Sequence, residues 1–256
     1  MIHTELVGEA PPRIAYLHGL LGRGRNWASI AKTLAAAGFP GVLIDLPNHG
    51  ASAWTREFGY VAMADEVAAT LREMLAGRRI TLVGHSMGGK VAMLVALRHP
   101  ELMRKLVVVD ISPDISEGVA NFDPVLEAVA AVDLAAILTR ADADAMLRDR
   151  IPRAEVRALV LQNLRQRSGA WGWQPNVELL SNALDDIAGW PQPGAANYLG
   201  PVLWINGSDS DYVLPEHDTA MYRLFPNTRH VEIPGAGHWV HADQPAALVA
   251  ALREFL

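Results

Sequence analysis

Apolar residues follow two rhythms that alternate along this chain. Short runs at residues 14–17, 41–45, 79–83, 105–110, 202–206 and 229–233 have the length of strands. Most are apolar without a break, as strands are when both faces of a sheet are covered. Between them, residues 27–37, 60–75, 91–97, 215–225 and 245–256 read as helices, the first closed by Gly38 and the third ending before Pro100. Strands and helices in alternation predict an α/β chain with a mostly parallel, doubly wound sheet.

The rhythm changes after Pro113. Residues 116–198 offer no convincing strand, only helical segments at 125–132, 142–150 and 153–166. A helical block between two sheet strands predicts a lid on the sheet rather than an independent domain. The chain then divides into a core of residues 1–115 and 199–256 and a helical cap of residues 116–198. Trp171, Trp173 and Trp190 lie in the cap, where an indole packs the cap itself or faces a ligand.

At 256 residues, half of them hydrophobic, the chain is long enough for one large, well-buried core. A net charge of −6 with no basic block argues against a nucleic-acid surface. The absence of cysteine excludes disulfides and thiolate metal sites. No apolar run is long enough to span a bilayer, and the start lacks a basic segment followed by an apolar one, so a soluble, cytoplasmic protein is expected. Monomer and homodimer both stay open.

One stretch stands out from these runs. Gly84-His85-Ser86-Met87-Gly88-Gly89-Lys90 places a serine between small residues where a buried strand turns tightly into a helix. Such a turn lifts the Ser86 hydroxyl clear of the backbone and leaves the amides of the helix start facing what it attacks. The same stretch approaches a phosphate-binding loop, but Val91 stands where that loop needs a hydroxyl to hold its metal.

Every other suggestive polar residue also follows the carboxyl end of a strand, where open parallel sheets bind ligands. These are His18, Asp110, the pair Asp209 and Asp211, and His238. A serine needs a base, and imidazole suits that task near neutral pH. Of nine histidines, His238 is the best placed, on a glycine-rich turn after the final strand. His85 lies inside the serine turn and is expected to point away from Ser86. His238 and His241 lack the spacing of a zinc site.

His18-Gly19-Leu20-Leu21-Gly22 with Asn26-Trp27, the Ser86 turn, Val109-Asp110-Ile111-Ser112-Pro113, Gln162-Asn163-Leu164 and Gly237-His238-Trp239-Val240-His241-Ala242 together resemble the α/β-hydrolase superfamily. Within it they resemble the bacterial esterases related to the animal ABHD11 hydrolase. The resemblance implies that fold, with the cap inserted after the strand ending at Asp110. It also implies a carboxylesterase acting through an acyl-enzyme, with Ser86 as nucleophile, His238 as base and the amides of Leu20 and Met87 as the oxyanion hole. Most hydrolases of this fold carry the acid after the strand at 202–206, which nominates Asp211 or, second, Asp209; the esterase group places it at Asp110. A small ester or thioester is the implied substrate, without metal or organic cofactor, and a cap tryptophan such as Trp171 or Trp173 is expected to set acyl-chain preference. A cofactor-free haloperoxidase, a carbon–carbon hydrolase and a non-catalytic binding protein on the same fold are the alternatives.

Overall fold

The computed structural model describes residues 1–116, 118, 122–192 and 196–256. Positions 117, 119–121 and 193–195 of the predicted cap lie outside the described residues. Nine strands are present among them: β1 (His3–Val7), β2 (Ile14–Leu17), β3 (Gly41–Asp45), β4 (Ile80–His85), β5 (Met103–Val109), β6 (Leu164–Arg167), β7 (Ala170–Trp173), β8 (Val202–Gly207) and β9 (Thr228–Ile233). Seven form one sheet in the order β1-β3-β2-β4-β5-β8-β9. β1 runs antiparallel to β3, and every other pair in that sheet is parallel. Sequence reading passes over β1 because its residues are all exposed or half-buried at the sheet edge, where packing demands little.

The helices are α1 (Ala28–Ala36), α2 (Tyr60–Leu75), α3 (Met87–Arg98), α4 (Asp123–Ala130), α5 (Arg140–Leu147), α6 (Ala154–Leu161), α7 (Val177–Asn182), α8 (Leu184–Ala188), α9 (Asp218–Leu224), α10 (Val240–Asp243) and α11 (Pro245–Phe255). Side chains alternate across the sheet. Leu82, Leu106 and Val108 face a core built with α2, α3 and the segment after β5. Val83, Val107 and Val109 face a second core containing Trp27, Leu34, Leu248 and Leu252 of α1, α11 and the turn before α1. The central strands are thus buried on both faces, as their unbroken apolar runs require.

Between β5 and β8 the described residues carry α4 to α8, but this segment is not free of strands. β6 and β7 pair antiparallel as a hairpin. Its turn, Ser168-Gly169, has both residues at positive φ, 49° and 84°, the backbone that matches the strand twist in two-residue hairpins. Arg165, Gln166 and Arg167 carry no apolar face, so the strand rhythm that betrays a buried strand is missing here. Among the described residues no helix is long and apolar enough to cross a membrane.

Candidate active site

β4 runs into α3 through Ser86, which sits at φ 52° and ψ −124°, a conformation a serine holds only under constraint. The constraint is visible in the backbone. The Ser86 N–H donates to Val109 O at 3.0 Å, and its C=O accepts from Gly89 N–H at 2.7 Å. The two flanking glycines are obligatory: a Cβ on Gly84 would lie 2.3 Å from Gly88 O, and one on Gly88 would lie 2.4 Å from His18 O.

His238 arrives from the turn after β9. Its Nε2 lies 3.0 Å from Ser86 Oγ, and its Nδ1 lies 2.7 Å from Asp110 Oδ2. A carboxylate only accepts, so Nδ1 carries the proton and Nε2 is left to accept from the Ser86 hydroxyl. Asp110 is fully buried. Its charge is compensated by two further donors, the Gly207 N–H to Oδ1 at 3.0 Å and the Ser210 hydroxyl to Oδ2, as a buried carboxylate requires.

Ser86, His238 and Asp110 are therefore brought together, whereas Asp209 and Asp211 are exposed on the loop after β8. Asp209 accepts from the Ser208 hydroxyl. What that loop contributes is Ser210, and Tyr212, whose ring stacks on the His238 imidazole at 3.7 Å between centroids and 18° between planes. Sequence reading searches this loop only for carboxylates and so misses both. It also leaves His85 without a role. The ring turns toward the backbone of His238 and donates from Nε2 to the His238 carbonyl at 2.8 Å.

The remaining imidazoles near His238 are held neutral. Burial pulls His85 well below the usual histidine range, and burial with the neighbouring His238 pulls His241 down to about 4. An imidazolium forming at His238 thus meets no fixed positive charge from its nearest rings.

Leu20 lines the cavity at Ser86, and Met87 opens α3, where the first amides of a helix have no partner within it. Neither amide donates to a protein acceptor among the described residues. The cavity that holds Ser86, His18 and His238 has room for about 10 Å³, roughly a single water. Its side chains from the segment between β5 and β8 are Phe122 and Leu159. A larger space of about 680 Å³ shares Phe122, His238 and Trp239 with it. Trp171 and Trp173 do not reach Ser86; they line a separate cavity beside Trp54, and the Trp173 indole N–H donates to Val129 O. No group of three or more histidine, aspartate or glutamate side chains that could hold a metal ion occurs among the described residues.

A family model of the alpha/beta hydrolase fold matches residues 12–245. The chain belongs to the α/β-hydrolase family. It is 37% identical over 254 residues to the sn-1-specific diacylglycerol lipase ABHD11 of Danio rerio, covering 97% of this chain and 79% of the relative. It is 32% identical over 243 residues to the esterase YbfF of Escherichia coli, covering 95% and 92% respectively. Among solved structures, a marine microorganism esterase superposes with a TM-score of 0.95 at 31% identity, over 100% of this chain and 99% of the other. This α/β hydrolase is accordingly an ABHD11-related enzyme of the esterase and lipase group.

Proposed function

We propose that this α/β hydrolase cleaves carboxylic esters of small or short-to-medium acyl chains through an acyl-enzyme on Ser86. The observation that carries the reading is the unbroken hydrogen-bond path from Ser86 Oγ through His238 to Asp110. His238 Nε2 takes the Ser86 proton as Oγ bonds to the carbonyl carbon. The oxyanion is received by the amides of Leu20 and Met87, donors that act on charge present only in the transition state. The imidazolium then returns its proton to the leaving alcohol as the ester bond breaks. Water, deprotonated by the same imidazole, releases the acid and restores Ser86. Asp110 fixes the tautomer and supports the cation, and the Tyr212 ring and the His85 bond to the His238 carbonyl hold the base in place.

The β5–β8 segment is read as a cap of residues 116–198 over a core of residues 1–115 and 199–256. Phe122 and Leu159 bring it against Ser86. Thioesters share the carbonyl chemistry and belong in the same panel. The name of the Danio rerio relative adds diacylglycerol esters.

An organophosphorus probe tests the reading. Mass spectrometry is expected to place one adduct on Ser86, formed more slowly while an excess of an activated ester competes for the site, and hydrolysis of that ester is expected to vanish in Ser86→Ala. A label on another serine, or none under conditions that label a control esterase, would overturn it.

A further inference from the structure

The loop carrying Leu20 is held by groups that take no direct part in this chemistry. The Gly22 N–H donates to Gly19 O at 3.0 Å, closing a four-residue turn. Leu21 stands at its third position with φ 55°. Positive φ at that position alone defines a type II turn, where glycine is the usual occupant and leucine is strained. A relaxed type I turn would rotate the Leu20–Leu21 peptide by about half a circle, so the strained form must be selected from outside.

Both polar groups of the Leu21 backbone are held. Its N–H donates to His49 Nε2 at 3.2 Å, and its C=O accepts from Asn163 Nδ2 at 2.6 Å. Both side chains are buried, at 0% and 1% exposure. The Asn163 amide orientation follows from its surroundings, since the same nitrogen also meets the Leu159 carbonyl and only the NH₂ end can donate to both. His49 Nδ1 donates to Pro47 O at 3.0 Å, leaving Nε2 free to accept. Burial lowers its pKa to about 3, so it stays a neutral acceptor. Asn163 lies between α6 and β6, and its own C=O accepts from Gln174 N–H beyond the β6–β7 hairpin.

We propose that Asn163 and His49 are positioning residues for ester cleavage: gripping the Leu21 backbone from both sides, they hold the turn Gly19-Leu20-Leu21-Gly22 in its strained form and so fix in place the loop from which the Leu20 amide meets the substrate oxyanion. This rests on the reading of Leu20 as an oxyanion donor. It also gives the inserted segment a role in the chemical step, because one of the two grips comes from it.

The test uses the full chain with Asn163→Leu, His49→Phe and, as the variant that keeps an acceptor, His49→Gln. Removing an oxyanion donor outright costs about 100- to 1,000-fold in kcat; a donor left in place but no longer aimed is expected to cost about 10- to 100-fold. Asn163→Leu and His49→Phe should each lower kcat by that factor, with KM within about twofold, and weaken a boronic-acid transition-state analogue by the same factor. The double variant should lose little beyond the worse single one, because both act on one residue. His49→Gln should recover most of the loss. Melting temperature is followed throughout, and Asn163→Ser, which shortens the side chain, substitutes for Asn163→Leu if that variant does not fold. Unchanged kcat in folded variants, or a rise in KM with analogue binding intact, would overturn the proposal. A wild-type chain that neither labels at Ser86 nor cleaves esters would instead overturn the reading beneath it.

Discussion

Replacing Asp110 by asparagine keeps the shape of the site and removes only its charge and acceptor symmetry. Three donors converge on this buried carboxylate: His238 Nδ1–H and the Ser210 hydroxyl on Oδ2, and the Gly207 N–H on Oδ1. An amide cannot serve all three. With its NH₂ at the Oδ2 position it faces the imidazole as a donor, and His238 must move its proton to Nε2, where it can no longer accept from Ser86. With its NH₂ at Oδ1 it faces the Gly207 N–H, leaving a buried donor unpaired at a cost of about 1–3 kcal/mol in stability. In the best-studied triad this substitution lowers kcat about 10⁴-fold, or roughly 5 kcal/mol of transition-state stabilisation. The same loss is expected for Asp110→Asn, while Asp211→Asn, at an exposed position, should stay within about twofold of wild type. Hydrolysis of an activated ester, normalised by active-site titration and accompanied by a melting curve, separates the two. Near-normal turnover in Asp110→Asn with collapse in Asp211→Asn would refute the reasoning and move the acid to the loop after β8.

Two further outcomes follow from the same geometry. Leu159 lines the Ser86 cavity and Trp171 does not, so Leu159→Ala should change relative rates between acyl chains two methylenes apart by about tenfold, at ~0.8 kcal/mol per methylene. Trp171→Ala should leave those ratios unchanged, and a selective shift in Trp171→Ala would show that the cavities exchange roles. Stability should fall on acidification below pH 6.5, because burial holds His49 and His241 at about 3 and about 4 in the folded chain, below their ordinary 6.5. The unfolded state then binds more protons, and each group withdraws about 3 kcal/mol by pH 4.5. Denaturant titrations from pH 7 to 4.5 should show a shallower decline for His241→Gln than for wild type; parallel curves would exclude this account.

The doubly wound sheet was legible in the sequence because its central strands are buried on both faces and therefore apolar without interruption. The Ser86 turn was legible because the close pass of strand and helix leaves space only for Gly84 and Gly88. β1 and the β6–β7 hairpin escaped the same reading, since strands at an edge or on the surface need no apolar rhythm. The position of Asp110 against His238, 128 residues apart in the chain, lay beyond any local pattern. A motif nominated it, but the loop after β8 offered rival carboxylates at similar positions, and only the packing of β5 beside β8 shows which one faces the imidazole. Tyr212, Ser210 and His85 took their places for a related reason: each acts through a ring face or a single donor, and what such a group touches is set by the folded backbone. The grip of His49 and Asn163 on Leu21 is the extreme case. A leucine at positive φ gives no sign of strain in a sequence, and the two side chains that hold it come from separate parts of the chain.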